Sequence, residues 1–194
     1  MFLEPMFRGQ RSGWIEVITG CMFSGKTEEL IRRVKRSTFA NQHVQLFKPG
    51  RDVRYSEHEV VSHDSNALES ILIPDAKTLP DYLDDGVDVV AIDEVQFFDS
   101  EIIGLCEELA LDGKRVIAAG LDLDFRGVPF GPMPHLMAIA EYVTKVHAIC
   151  PHCGNLATHS YRLSEEEDTV VIGEKDKYEP RCRRCYAMGN ILVF

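Results

Sequence analysis

The chain of 194 residues carries 31 acidic against 21 basic side chains, a formal charge of −10, and is 45% hydrophobic. It is long enough for one ordinary domain with a small appendage, and its acidity argues against a broad nucleic-acid or anionic-membrane face while leaving room for one local electropositive nucleotide pocket. No apolar run reaches the ~18 residues that span a bilayer, and the N-terminus lacks the charged-then-apolar plan of a signal peptide, so a cytoplasmic protein is expected.

Residues 1–12 carry Pro5 and Gly9 without a sustained period and read as a loose arm. Trp14–Thr19 alternates and is rich in β-branched and aromatic residues, which predicts a half-buried strand. It runs into Gly20-Cys21-Met22-Phe23-Ser24-Gly25-Lys26-Thr27, the pattern G-x-x-x-x-G-K-T. In such a loop backbone N–H groups wrap an anion, the Lys reaches the outer phosphates of ATP and the Thr hydroxyl holds Mg²⁺. Glu28-Glu29-Leu30-Ile31-Arg32-Arg33-Val34 then has acidic residues first, basic ones later and apolar ones at helical spacing. That predicts a helix aiming its positive end at the phosphates and ending near Ala40.

His43–Lys48 reads as a second strand closed by Pro49-Gly50, and the polar stretch from Arg51 to Asn66 as a mobile loop. A short strand over Leu68–Ile73 and a short helix over Thr78–Leu83 follow. Val87–Glu94 is a nearly unbroken apolar run ending in Asp93 and Glu94, as expected of a parallel strand buried on both faces. In a phosphate-loop enzyme an Asp so placed sits beside the Thr hydroxyl and completes the Mg²⁺ site, here Asp93 with Thr27. Glu94 points to the other side and is a candidate general base for an acceptor hydroxyl.

Asp99 or Ser100 can cap a helix carrying Ile102, Cys106 and Leu109 on one face, and Arg115–Gly120 is another buried strand. Leu121–Pro134 is a loop over the same sheet edge, His135–Ala140 a short helix and Tyr142–Ile149 a last strand. Strands alternating with helices give an α/β fold with a mainly parallel sheet of the P-loop NTPase kind, whose ligands gather at the strands' carboxyl ends. Arg54, Arg126 and Arg162 all lie in loops able to neutralise a transferring phosphoryl group, and composition does not choose among them. Phe97, Phe98, Phe125, Phe130 and Tyr178 can stack on a base or, Phe98 and Phe130 especially, pack in the core.

Cys150-Pro-His-Cys153 and Cys182-Arg-Arg-Cys185 are two C-x-x-C pairs offering four thiolates to a closed tetrahedral Zn²⁺ site. The interval between them exceeds that of a usual zinc ribbon, so a long segment is tied at both ends. Glu165–Asp168 reads as a solvated hairpin tip. Cys106 reads as a small core residue, and Cys21 as filling the second place of the loop. The expected organisation is an arm (1–12), a P-loop α/β domain (13–149) and a small zinc-binding domain (150–194).

The run Gly20–Leu30, the segment Asp93-Glu94-Val95-Gln96-Phe97-Phe98, the stretch Gly120-Leu121-Asp122-Leu123-Asp124-Phe125-Arg126-Gly127 with Pro129-Phe130-Gly131, and the two cysteine pairs together resemble a type II thymidine kinase from Gly13 to Tyr186. The resemblance implies transfer of the γ-phosphoryl group of ATP to the 5′-hydroxyl of thymidine, a homotetramer, and feedback inhibition by dTTP. It implies Glu94 as the base and a thymine pocket lined by Met22, Phe97, Leu121, Phe125 and Tyr178. It also implies a zinc-tied lasso from Ser160 to Arg181, in which Val171, Ile172 and Gly173 match the segment that grips the base through backbone groups. Asp52 and Arg54 resemble a flexible loop near the phosphates. Cys21 stands where many members have Pro, and Val95 where others have Gly or Ala, which bears on loop geometry rather than on the reaction.

Three other readings compete. A zinc-ribbon ATPase binding nucleic acid would use Arg181, Arg183 and Arg184 with Arg32, Arg33, Lys35 and Arg36 as a phosphate track. A kinase for another nucleoside would need a different match of backbone donors and acceptors to its base. A nucleotide-sensing module would bind ATP without turnover.

Overall fold

The computed structural model of the chain describes residues 12–50, 59–61, 67–163 and 177–191. The expected arm up to Arg11, most of the Arg51–Asn66 loop with Asp52 and Arg54, the acidic run Glu165–Asp168 and the lasso residues Val171, Ile172 and Gly173 lie outside them.

From the N-terminus, β1 (Trp14–Thr19) leads through the glycine loop into α1 (Lys26–Phe39), β2 (Val44–Pro49), β3 (Glu59–Val61), β4 (Ala67–Glu69) and β5 (Ile71–Ile73). A 3₁₀ turn over Ala76–Tyr82 precedes β6 (Val89–Ile92), a second covers Val95–Phe97, and α2 (Glu101–Leu111), β7 (Arg115–Gly120), α3 (Met133–Ile139) and β8 (Tyr142–Lys145) follow. The C-terminal part holds β9 (Ala148–Ile149), β10 (Leu156–Ala157), β11 (His159–Arg162), β12 (Tyr178–Arg181) and α4 (Arg183–Ile191). Among the described residues one sheet of six strands runs in the order β5-β2-β6-β7-β1-β8, with every pairing in it parallel. The pairs β3/β4, β9/β10 and β11/β12 are antiparallel and stand outside it. No helix among the described residues is long and apolar enough to cross a membrane.

Period-two alternation divides the sheet's side chains between two apolar layers. Ile15, Val17, Val90, Ile92, Val116 and Ala118 pack with Ile102, Cys106 and Leu109 of α2 and Met133 and Leu136 of α3. Ile18, Val89, Ala91, Ile117 and Ala119 face Leu30, Ile31 and Val34 of α1. Burial raises the Cys106 thiol to about 12, so it stays a neutral apolar filler.

The structure departs from the sequence reading in several places. Leu68–Ile73 is two strands broken at Ser70, because β4 pairs with β3 while β5 pairs with β2; that β3/β4 pair reaches into what read as loop. Tyr142–Ile149 divides likewise, β8 closing the main sheet and β9 joining β10. The expected helix over Thr78–Leu83 is the 3₁₀ turn Ala76–Tyr82, entered through Asp75, whose carboxylate accepts the Thr78 N–H at 3.1 Å. Between Asp99 and Ser100, it is the Asp99 carboxylate that accepts an N–H of the next helix, from Glu101 at 3.0 Å. Helix α3 starts at Met133, ahead of the expected His135, with Pro134 in the first turn where a missing N–H costs nothing.

β1 is buried on both faces rather than half-buried, since it lies between β7 and β8 with helices on either side. Its apparent polar face is Glu16, fully buried and paired. Arg33 of α1 donates Nη1 to Oε2 at 2.8 Å, Arg115 of β7 donates Nε to Oε1 at 2.6 Å, and the Trp14 indole N–H donates to Oε1 at 2.6 Å. Arg33 in turn meets Glu29 Oε1 at 2.8 Å and Thr144 Oγ1 at 2.8 Å, and Arg115 meets Ser37 Oγ at 3.0 Å. The neighbouring Arg32 and Arg33 hold the Glu29 carboxyl below its ordinary range. A buried charge is tolerable only when paired and hydrogen-bonded throughout, as here. Glu16→Gln strips both guanidinium groups of this anionic partner and is expected to cost about 3–5 kcal/mol, read as a lower denaturant midpoint; an unchanged midpoint would show the network to be energetically neutral.

Candidate active site and metal centre

β1 delivers the glycine loop to the carboxyl edge of the sheet. Gly20 has φ 147°, and a Cβ there would lie 2.2 Å from the Val146 carbonyl oxygen, so only glycine fits between loop and β8 exit. Gly25, at φ 87°, turns the chain left-handed into the first residue of α1. Ser24 Oγ and Lys26 Nζ both donate to the Cys21 carbonyl, at 2.7 and 2.9 Å, which draws the loop into a closed arc at the N-terminus of α1. Helix N-termini present N–H groups and a positive dipole end to anions.

β6 brings its two terminal carboxylates to the same edge. Thr27 Oγ1 lies 3.5 Å from Asp93 Oδ2, and Asp93 Oδ1 accepts the Glu94 N–H at 2.9 Å. The chain reverses at Glu94, a non-glycine residue at φ 50° and ψ 38°, and enters the 3₁₀ turn. That turn sends Gln96 inward, where its Nε2 donates to Glu94 Oε2 and its Oε1 accepts the Leu121 N–H at 3.0 Å. Phe98 is buried in the α2-side core, whereas the half-buried Phe97 meets Phe130 edge-on with centroids 5.6 Å apart. Of the two readings of Phe98, core packing is correct.

The loop after β7 curls tightly, Asp124 accepting the N–H groups of Arg126 and Val128 at 2.8 and 2.9 Å. Leu121 is buried, Asp122 meets Lys145 at 2.5 Å, and the Phe125 carbonyl accepts the Tyr186 hydroxyl at 2.7 Å. The Arg162 guanidinium lies 3.4 Å from the Phe125 ring centroid and 5.3 Å from that of Tyr178, and its Nη2 donates to the Tyr178 hydroxyl at 2.7 Å. Phe125, Arg162 and Tyr178 thus form one stack, in which Arg162 and Tyr178 are buried and Phe125 is half-buried. Arg162 fixes the orientation of two aromatic residues there, while the exposed Arg126 sits 5.0 Å from the Phe125 centroid.

The two cysteine pairs converge. The Sγ atoms of Cys150, Cys153, Cys182 and Cys185 all lie within 4.8 Å of one another. A tetrahedral zinc with bonds of about 2.3 Å needs sulfurs roughly 3.8 Å apart, so the set fits such an ion. The Cys185 N–H and Asn155 Nδ2 donate to Cys182 and Cys153 sulfurs, each at 3.4 Å, the outer contacts that suit thiolate ligands.

A connection that spacing did not announce joins this centre to the glycine loop. Cys21 is buried against Ala148, Cys150, Ala157 and Cys182, and its thiol donates to the Ala157 carbonyl at 3.4 Å. Burial raises the Cys21 thiol above its ordinary range. The Met22 N–H donates to Ser160 Oγ at 3.0 Å. Ser160, the first residue of the expected lasso, thereby holds the loop backbone with its hydroxyl. The only hint in the sequence was a cysteine at the loop's second position, a residue suited to an apolar, close-packed neighbour.

A family model for thymidine kinase matches residues 13–186. The chain belongs to the thymidine kinase family. It is 57% identical over 188 residues to the thymidine kinase of Rhodothermus sp. (strain ITI 518), covering 96% of this chain and 88% of that protein. It is 58% identical over 177 residues to that of Bacteroides fragilis (strain YCH46), covering 91% and 88%, and 56% identical to that of Bacteroides thetaiotaomicron over the same shares. The chain is accordingly an ATP-dependent nucleoside kinase. A solved structure of the Legionella pneumophila ATPase DotB overlaps 68% of this chain and 35% of its own at 19% identity and a TM-score of 0.42, too low a likeness to argue from.

For a kinase of this family the clamp on Met22 bears on nucleotide affinity. Ser160→Ala leaves a loop N–H without this acceptor and is expected to weaken ATP binding about fivefold, the worth of one such hydrogen bond. Titration calorimetry with ATP checks this, and unchanged affinity would mean that the loop holds its shape without the clamp.

Proposed function

We infer that this kinase transfers the γ-phosphoryl group of ATP to the 5′-hydroxyl of thymidine, giving dTMP and ADP. The observation that carries the reading is the meeting of the glycine loop, the Thr27–Asp93 pair and Glu94 at one sheet edge, in a chain whose relatives are named thymidine kinase.

In this reading the backbone of Gly20, Cys21, Met22, Phe23, Ser24 and Gly25 wraps the phosphates, and Lys26 turns from the Cys21 carbonyl to the outer phosphates. Thr27 and Asp93 would hold Mg²⁺, which when bound offsets phosphate charge. Glu94 accepts the proton of the 5′-hydroxyl as its oxygen bonds to the γ-phosphorus and ADP departs. Met22, Phe97, Leu121, Phe125 and Tyr178 line the thymine pocket, with Ser160, Val171, Ile172 and Gly173 in the lasso that closes on the base. The Phe125–Arg162–Tyr178 stack supports this, because a flat aromatic wall needs fixed ring orientations to receive a base. Cys150, Cys153, Cys182 and Cys185 would hold structural Zn²⁺, whose binding energy fixes both ends of the lasso. The proposal extends to a cytoplasmic homotetramer inhibited by dTTP, divided into an arm (1–12), a kinase domain (13–149) and a zinc domain (150–194).

Internal pairing takes three of the seven cations from the phosphate track of the nucleic-acid reading. Arg33 is buried on Glu16, Arg32 is paired with Glu29, and Arg181 meets Glu179 at 2.5 Å.

Radiolabelled transfer from ATP to thymidine, deoxyuridine, deoxycytidine and deoxyguanosine tests the reaction. Labelling of thymidine and deoxyuridine alone is expected, with Glu94→Gln binding both substrates and turning over about 10²-fold more slowly. Labelling of deoxycytidine or deoxyguanosine in preference would overturn the substrate, and near-normal turnover by Glu94→Gln would remove that residue as base.

A further inference from the structure

Gln96 is 2% exposed, yet it sits one turn from a catalytic candidate and spends both ends of its amide on the site. Its Nε2 donates to Glu94 Oε2, and its Oε1 accepts the Leu121 N–H at 3.0 Å. One side chain therefore bridges the end of β6 to the first residue beyond β7.

The surroundings press closely on this residue. A Cβ on Gly120 would lie 2.6 Å from Gln96 Oε1, and a Cβ on Gly131 would lie 2.4 Å from the Gln96 carbonyl oxygen. Both positions are glycine, so the loop after β7 closes directly on Gln96. The left-handed turn at Glu94 and the 3₁₀ turn after it bring the amide back to the carboxylate two residues earlier. A core position filled by Val or Met would satisfy packing alone. An amide is required where a donor must face a carboxylate and an acceptor must face a backbone N–H.

We propose that Gln96 is a positioning residue for phosphoryl transfer: it holds the Glu94 carboxylate in the orientation that meets the acceptor hydroxyl and keys that orientation to the Leu121 loop. The proposal rests on the reading of Glu94 as the base. A carboxylate free to rotate at a strand end spends much of its time away from the proton it must take, and misplacement by an ångström is costly in rate. Gln96 removes that freedom without itself touching substrate.

The test is a double-mutant cycle on the full-length kinase with Gln96→Met, Glu94→Gln and the pair together. Thermal melting and ATP titration confirm folding of each, and Gln96→Glu is the second variant, since it keeps an acceptor for Leu121 but sets a carboxylate against Glu94. Gln96→Met is expected to lower kcat about tenfold or more with KM for thymidine changed less than threefold, to add less than twofold to the loss in Glu94→Gln, and Gln96→Glu is expected to lose at least as much kcat as Gln96→Met. Equal losses in the wild-type and Glu94→Gln backgrounds, or Gln96→Glu restoring kcat, would overturn the proposal and leave Gln96 as support for the Leu121 loop. A Glu94→Gln enzyme of nearly normal kcat beside a slow Gln96→Met would instead overturn the base assignment, and the positioning role with it, so the two failures are told apart by which single variant is slow.

Discussion

The site exists because β6, β7 and β1 lie side by side and parallel. Thr19 pairs with Gly120 and Ile92 with Ala118, so the phosphate loop, the Asp93–Glu94 pair and the Leu121 loop leave the sheet at one edge, in adjacent strands. Parallel strands need crossovers that cover both faces, and α1, α2 and α3 supply them. That covering forces five of the six residues of β1, Ile15 to Thr19, into the interior, including Glu16. The charge network around Glu16 follows from the topology: an acid in a central strand must be answered by cations from the neighbouring strand and the overlying helix. Arg115 and Arg33 come from those two places.

The main sheet, the glycine loop and the cluster of four cysteines were legible because each rests on local spacing. Residues 20–27 and the two cysteine pairs are short patterns tied to one geometry, and Val87–Glu94 advertised burial by an unbroken apolar run. What failed depended on partners far along the chain. Ser70 breaks a strand only because its two halves pair with different neighbours, and His147 stands where one sheet gives way to another. The alternation of Trp14–Thr19 suggested a wet face, and nothing within that segment revealed that Arg33 and Arg115 would meet Glu16. Gln96 escaped for the same reason, its partners Glu94 and Leu121 being brought together only by the fold.

Seen from the C-terminal side, the cysteine cluster does more than anchor a long segment. The turn between β9 and β10 carries the first cysteine pair, and β11 and β12 pair the two ends of the proposed lasso. The same small unit reaches back to the phosphate loop at two successive residues, through Ala157 to Cys21 and through Ser160 to Met22. A rearrangement of the four sulfurs is therefore transmitted to the loop backbone by buried contacts with little slack, since packed interiors yield only in discrete steps. Under the proposed function, nucleotide and nucleoside affinity would share this support, and in linkage terms each ligand that fixes the unit would favour the other.

Conformational tension at the base candidate has a place in this arrangement. Glu94 adopts a left-handed backbone that a non-glycine residue reaches at a cost of about 1–3 kcal/mol, and glycine would remove the cost along with the carboxylate. Phe23 in the phosphate loop, at φ 62°, carries the same kind of burden. Both lie at the carboxyl edge of the sheet, and Glu94 is held by neighbours that overdetermine it. For Glu94 these are the Asp93 carboxylate on its N–H, the Gln96 amide on its side chain, and the glycines that press the Leu121 loop onto that amide. Strain persists in a fold only if the surroundings outweigh it, and here the stabilisation comes from the rigid parallel sheet beneath. Side chains of an extended strand stand on alternate faces of the sheet; reversing the chain at Glu94 instead brings its carboxylate to the Gln96 amide two residues on, while Asp93 keeps Thr27 and the Glu94 N–H.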